Sequence, residues 1–323
     1  MKSTLVETFP LLHSKLRRTM VDAPVTYMDD RTFGQRVMGI WAPSVMGERI
    51  ALAVAVGVNC LLFAAASRYF ELPILPGYDG SIICQPSPLS AFAVVAVALA
   101  VATLLGTVLA GSVRFEAGLF AAAFGLIAFS LRCGTMQSVL LEAGGNEGVF
   151  VRLAVELLIL GLFLGGMWTV LCRLARAVHG HPSTPKETNS TGKAQPYPGL
   201  LNSLTAMIAQ TILTGIFMFI LSQSESKYQA LASVGIASCL GSMIAYKYAP
   251  ARPSIWYWIG PLLVGLIGYV LAALGQDTNL DIGSPTGTFA ALARPLPVDY
   301  ASLGVAGAIL GYWMMRKKEL SED

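Results

Sequence analysis

Arg152 and Glu156 stand four residues apart near the start of an apolar run, VFVRLAVELLILGLFLGG. On a helix that spacing puts them on one face. A charged pair inside a membrane span either lines a polar path or marks where the span meets water. Counted from residue 150, Glu156 lies about two turns, or roughly 9 Å, into the run. A long side chain can reach the interface from that depth, and an acid in the first turns suits the positive end of the helix dipole. The spacing therefore predicts an interfacial ion pair that positions the helix. The alternative is a polar lining for an outward-facing cavity.

Other polar groups within apolar runs are few and uncharged: Asn59 and Cys60, Gln210, and Ser238 with Cys239. Asn59 and Gln210 fit hydrogen-bond partners between helices, worth about 1 kcal/mol, or the lining of a cavity. Proton relays and cation-coupled pumps use buried carboxylates, and the sequence places none deep in a run. Arg114 and Glu116, in the tight turn GSVRFEAG, are expected among lipid head groups. Asp277, Asp281 and Asp299 fall in a Gly- and Pro-containing stretch that reads as a solvated loop without the order of a calcium loop. His179 and His181 form the one histidine cluster and lack the further ligands a zinc site needs. Pro261 stands about two turns inside its run, where a kink is inexpensive. Neither a phosphate-binding loop nor a nucleophile elbow occurs. No cofactor or metal is expected.

Five cysteines are present. Cys60 and Cys239 lie within runs and Cys172 at the end of one, whereas Cys84 and Cys133 fall on the same side of the predicted topology. The short turn between the second and third runs makes those runs antiparallel neighbours. Their far ends are then close enough for a Cys84–Cys133 disulfide in an oxidising compartment.

The elements that position these residues are set by hydrophobicity. Hydrophobic residues make up 54% of the chain and charged residues 13%, against about 25% charged in soluble domains, and the mean hydropathy is strongly positive. A span needs about 20 apolar residues. Eight runs qualify, some barely: residues 50–67, 89–111, 115–131, 150–172, 200–221, 230–246, 256–274 and 300–315. The expected fold is all-α, a polytopic integral membrane helical bundle of about eight transmembrane helices, with both termini in the cytoplasm. Of the 22 Lys and Arg residues, only Arg68, Arg132, Arg152, Lys227 and Arg294 then lie outside, as the positive-inside rule requires. The net charge of +3 is a topology signal and gives no reason to invoke nucleic acid.

Residues 1–48 read as a cytoplasmic segment in which Phe33, Val37, Ile40 and Trp41 form one face of a short interfacial helix. Residues 49–173 hold a first group of four spans and residues 200–316 a second. Between them, residues 174–199 are rich in Pro, Ser, Thr and Gly and read as a flexible cytoplasmic linker; residues 317–323 form a tail. Small residues recur at four-residue spacing, in Ala121 and Gly125, Gly161 and Gly165, Ala237 and Gly241, and Gly307 and Gly311, a pattern that lets helix backbones approach closely.

Because polar groups cluster at boundaries, the leading expectation is a non-enzymatic scaffold or accessory component of an assembly in a bacterial-type cytoplasmic membrane. Its partners would be the bilayer and a second membrane protein or a further copy of the chain. The alternative is a permease or channel for a small neutral solute, lined by Asn59, Gln210 and the Gly/Ser-rich sixth run. A membrane-embedded enzyme is the third class.

Overall fold

A computed structural model describes residues 45–70, 81–111, 114, 116–142, 148–179, 200–224, 226–251, 253–274 and 290–322. The amphipathic stretch 29–41, His181, Asp277 and Asp281 lie outside the described residues, as does the linker sequence from residue 180 to 199. Among the described residues there is no strand.

All eight apolar runs are helical. In chain order they give α1 (Val45–Ala66), α2 (Pro88–Ala110), α3 (Ala117–Ser130), a short α4 (Met136–Glu142), α5 (Val149–His179), α6 (Leu200–Leu221), α7 (Lys227–Tyr248), α8 (Ile255–Leu274), a single turn α9 (Ala290–Ala293) and α10 (Val305–Glu322). A turn at Pro297–Asp299 and a π-helical turn at Tyr300–Gly304 lead directly into α10. Six helices, α1, α2 and α5 to α8, are long and apolar enough to cross a membrane. The chain is a multi-pass membrane protein of the all-α class. Helix α3 has 14 residues, about 21 Å at 1.5 Å per residue, and nearly all of its side chains are buried. It is an interior helix, shorter than the run of 17 that the sequence suggested. Helix α5 continues to His179, so residues 174–179, expected in the linker, are helical.

Packing forms two clusters. Helices α1, α2 and α3 pack mutually, while α7 packs on α6 and α10, and α8 on α6. Helix α5, the last span of the first sequence group, packs chiefly on α8 of the second. Small residues set the closest crossings. A Cβ on Gly118 would stand 2.8 Å from the Thr103 carbonyl oxygen, so α2 and α3 touch backbone to backbone. Likewise Gly307 and Gly311 of α10 face the backbone of Gly235 and Cys239 on α7. Gly125 abuts Asn59, and Gly241 abuts Thr214. The pair Gly161 and Gly165 differs: a Cβ at Gly161 would meet only Leu262 Cδ1 at 3.5 Å, and one at Gly165 would meet nothing within 4 Å.

Consecutive helices alternate in direction, which gathers their ends into two layers. One layer carries Ser81, Ser130, Lys227 and Asp299. The other carries Glu116, Tyr246, Tyr257, Tyr312 and Trp313.

Candidate functional site

Asp299 is buried, not part of a solvated loop. It sits two residues after Pro297, which opens the helical turn, and its Oδ2 accepts the Leu296 N–H at 2.8 Å. This is the reach-back half of a capping box. Its Oδ1 accepts the Ser130 hydroxyl from α3 and forms a 2.7 Å ion pair with Lys227 Nζ from α7. One carboxylate therefore ties an end of the first cluster to two elements of the second. Each partner satisfies part of a charge that would be very costly to bury alone.

Glu156 projects into the bundle beside it, with 0% exposure. Its Oε2 accepts the Ser81 hydroxyl and the Ile83 N–H, the latter at 3.0 Å. Its Oε1 has no hydrogen-bond partner among the described residues. The Asp299 carboxylate lies within electrostatic reach. Arg152 is exposed on the same helix and forms no ion pair with Glu156. The expected interfacial pair is thus not formed. A four-residue step rotates the side chain by about 40° at 3.6 residues per turn, which carries Glu156 from the exposed edge of α5 to its buried face.

Two tyrosines complete this layer. Tyr269 on α8 donates to the Pro295 carbonyl at 2.5 Å, and Tyr300 donates to the Leu292 carbonyl at 2.6 Å. Arg294 donates to the Ser222 carbonyl at the end of α6. No disulfide joins Cys84 and Cys133. The turn that carries Cys84, Ile82–Cys84, is fastened noncovalently, by the Glu156 carboxylate.

The opposite layer also contains a buried acid. Glu116 accepts the Trp313 indole N–H at 2.8 Å, and the Arg114 guanidinium lies over the Trp313 ring, 5.3 Å from its centroid. Glu116 is covered by α10 and does not lie free among head groups, because Trp313 supplies both an apolar cover and a donor.

Midway along the bundle, Asn59 and Gln210 occupy different interfaces. Asn59 donates from Nδ2 to the Ala102 carbonyl on α2 at 3.0 Å and lies against Gly125 of α3. Gln210 donates from Nε2 to the Ser238 carbonyl on α7 at 3.1 Å. The structure does not bring the two together. It gathers different groups around Gln210. Gln210 Oε1 and Thr214 Oγ1 flank Gly241, where a Cβ would stand 3.1 Å and 2.7 Å from them. Ser238 and Ser242 bracket that glycine on α7. All four side chains are fully buried, and Gln210 Oε1, Thr214 Oγ1, Ser238 Oγ and Ser242 Oγ have no hydrogen-bond partner among the described residues. The contrast with other helical threonines is direct. Thr103, Thr107, Thr205 and Thr211 each donate to the carbonyl four residues earlier, whereas Thr214 does not.

Among the described residues, no group of three or more His, Cys, Asp or Glu side chains is arranged to hold a metal ion. No family model, curated protein or solved structure matches the chain.

Proposed function

We propose that the protein is a non-enzymatic permease or channel for a small, neutral, hydrogen-bonding solute. The observation that carries this reading is the group of unpartnered oxygens around Gly241. Buried polar atoms in native proteins are overwhelmingly hydrogen-bonded, and leaving one bare costs about 1–3 kcal/mol. Four such atoms at mid-span are explained if they serve water or a polar solute. Their amide and hydroxyl chemistry carries no net charge, which suits a neutral solute better than an ion. Glycine at position 241 lets α7 come close to Gln210 and Thr214, since a Cβ there would stand 2.7 Å from Thr214 Oγ1.

This reading revises the weight given to the scaffold. That expectation followed from polar groups clustering at boundaries, whereas Glu156, Asp299, Gln210 and Thr214 are all buried. Asn59 belongs to a different interface and takes no part in the proposed path. The topology that accompanies this reading is eight crossings in a cytoplasmic membrane, with the Asp299 layer outside and the Glu116 layer inside. It is supported by the helical state of all eight runs and by the alternation of their ends.

The test uses a cysteine-free background carrying Gln210→Cys, Thr214→Cys or, as a surface control, Ser90→Cys. A small membrane-impermeant thiol reagent should modify positions 210 and 214 as well as 90, and modification at 210 should slow solute flux into proteoliposomes. Reaction at position 90 alone would exclude a water-filled path past Gln210.

The accessory-component reading is favoured by a separate observation. Leu157, Gly161, Leu162, Gly165, Trp258 and Leu262 line an apolar groove of about 220 Å³ between α5 and α8. On that reading its occupant is a second copy of the chain, since a bare pair of glycines at four-residue spacing is self-complementary. Gly165→Cys would then cross-link between copies in native membranes.

A further inference from the structure

Glu156 has a feature that neither reading uses. Its carboxylate is wholly enclosed, and no cation lies within ion-pair distance: among the described residues the ion pair is Lys227 with Asp299. We propose that Glu156 is a carboxylic acid that binds one exchangeable proton on Oε1, making the space between α5, α8 and the Ser81–Cys84 segment a proton-binding site.

Few of the groups around Glu156 could support a negative charge there. Helices α2 and α3 carry no titratable side chain. From α8 comes Tyr269, whose hydroxyl hydrogen goes to Pro295. From the π-helical turn comes Tyr300, whose hydroxyl hydrogen goes to Leu292. The Pro297–Asp299 turn contributes Asp299, which is paired with Lys227. The Ile82–Cys84 turn contributes the Cys84 thiol. Arg294 directs its guanidinium to Ser222, and Arg152 faces outward on α5. The Ser81 hydroxyl and the Ile83 N–H reach Oε2, the neighbouring Ile82 N–H also turns to the carboxylate, and Oε1 has no hydrogen-bond partner among the described residues.

An ionised carboxylate buried on these terms has lost its water without gaining a countercharge, and it faces a second carboxylate. Buried acids in that position neutralise by keeping their proton. The site is a pair of unlike acids: Asp299 has Lys227, Ser130 and the Leu296 N–H as partners, and Glu156 has no cation partner among the described residues. Release breaks the Oε1–H bond, leaves the electron pair on the carboxylate and passes the proton to water at the Asp299 end of the bundle. The donors on Oε2 then become charge-assisted and hold the Ser81–Cys84 segment more tightly. The proton state of one side chain is thereby linked to the docking of one segment. The site binds its proton whether or not a solute is transported.

Infrared spectroscopy of the full chain in lipid bilayers tests the proposal. At neutral pH the wild type should show a carboxylic-acid carbonyl band that shifts in D₂O, and selective ¹³C labelling of glutamate should shift it, assigning it to a glutamate without any substitution. Glu156→Gln, the uncharged isostere, should abolish that band, whereas Glu116→Gln at the opposite end should retain it. A wild-type spectrum with no glutamate carboxylic-acid band overturns the proposal, as does a band that survives in Glu156→Gln or disappears in Glu116→Gln. Failure of the permease reading in flux assays would leave the band untouched.

Discussion

Gly311→Ala should be among the most damaging single-methyl additions in the bundle. Helix α10 crosses α7 with Gly311 against the backbone of Cys239: a Cβ there would stand 3.0 Å from the Cys239 carbonyl carbon, closer still to its oxygen, and 3.0 Å from Ser242 Cβ. Ordinary contact begins near 3.4 Å, so the helices must separate by about half an ångström or more. None of these neighbours is the tip of a flexible side chain that could swing aside. Overpacking of this kind costs about 1–3 kcal/mol, and rigid backbone puts the cost near the upper figure. The better helix propensity of alanine returns up to about 1 kcal/mol, leaving a net loss of about 2 kcal/mol.

Gly165→Ala supplies the control, since its methyl would meet nothing within 4 Å. It should be neutral or gain up to about 1 kcal/mol from propensity alone. The two variants should therefore differ by about 3 kcal/mol in reversible unfolding by SDS in mixed micelles, followed by tryptophan fluorescence. Gly307→Ala combined with Gly311→Ala should lose less than the sum of the two, because one separation of α7 and α10 relieves both clashes. Equal stability of Gly311→Ala and Gly165→Ala would refute the close crossing of α7 and α10.

Three further outcomes follow from the charged layers and the topology. Lys227→Met should destabilise by about 3 kcal/mol in the same unfolding assay, because it leaves Asp299 buried without its cation, and Lys227→Met with Asp299→Leu should recover part of that loss; equal loss in both would show that the ion pair is not the cause. Trp313→Phe should cost about 1.5–3 kcal/mol by removing the indole donor to Glu116, whereas Trp313→His, if stable, would show that a ring donor suffices. Reporter fusions after Arg176 and after Lys318 should both report cytoplasm, and a fusion at Asp281 the opposite side; an external signal after Lys318 would mean that α10 does not cross.

The helices were legible because each is a run whose hydrophobicity can be counted locally. Their extents were less so. Helix α3 ends at Ser130 and α5 runs on to His179, since tertiary cover and helix continuation beyond the membrane leave little trace in a hydropathy count. The small-residue pairs identified the close crossings at Gly125, Gly241 and Gly311, yet the same spacing at Gly161 and Gly165 brings no backbone close, since Gly161 meets only the Leu262 side chain and Gly165 nothing within 4 Å. Spacing shows that a close approach is allowed, and only the arrangement of neighbours decides whether one occurs. Gln210 was recognisable as a polar residue in an apolar run; Thr214 and Ser242 were not, because hydroxyls in helices ordinarily satisfy themselves on the preceding turn.

The acids were misread for one physical reason. Asp299 and Glu116 border apolar runs, and a border position in sequence suggests contact with water. In the folded chain the same borders are where helix ends from both clusters meet, so Asp299 finds Ser130 at a separation of 169 residues and Lys227 at 72. A bundle of alternating helices therefore concentrates its polar ends into two layers, and an acid placed there is buried by other ends and not by lipid. Whether it then serves structure or chemistry depends on its partners. Asp299 has a cation, a hydroxyl and a backbone donor, which is the outfit of a fastening. Glu156, on the neighbouring helix face, has only neutral donors and no cation among the described residues, and that difference in partners is what sets it apart as the proton-binding group of this layer.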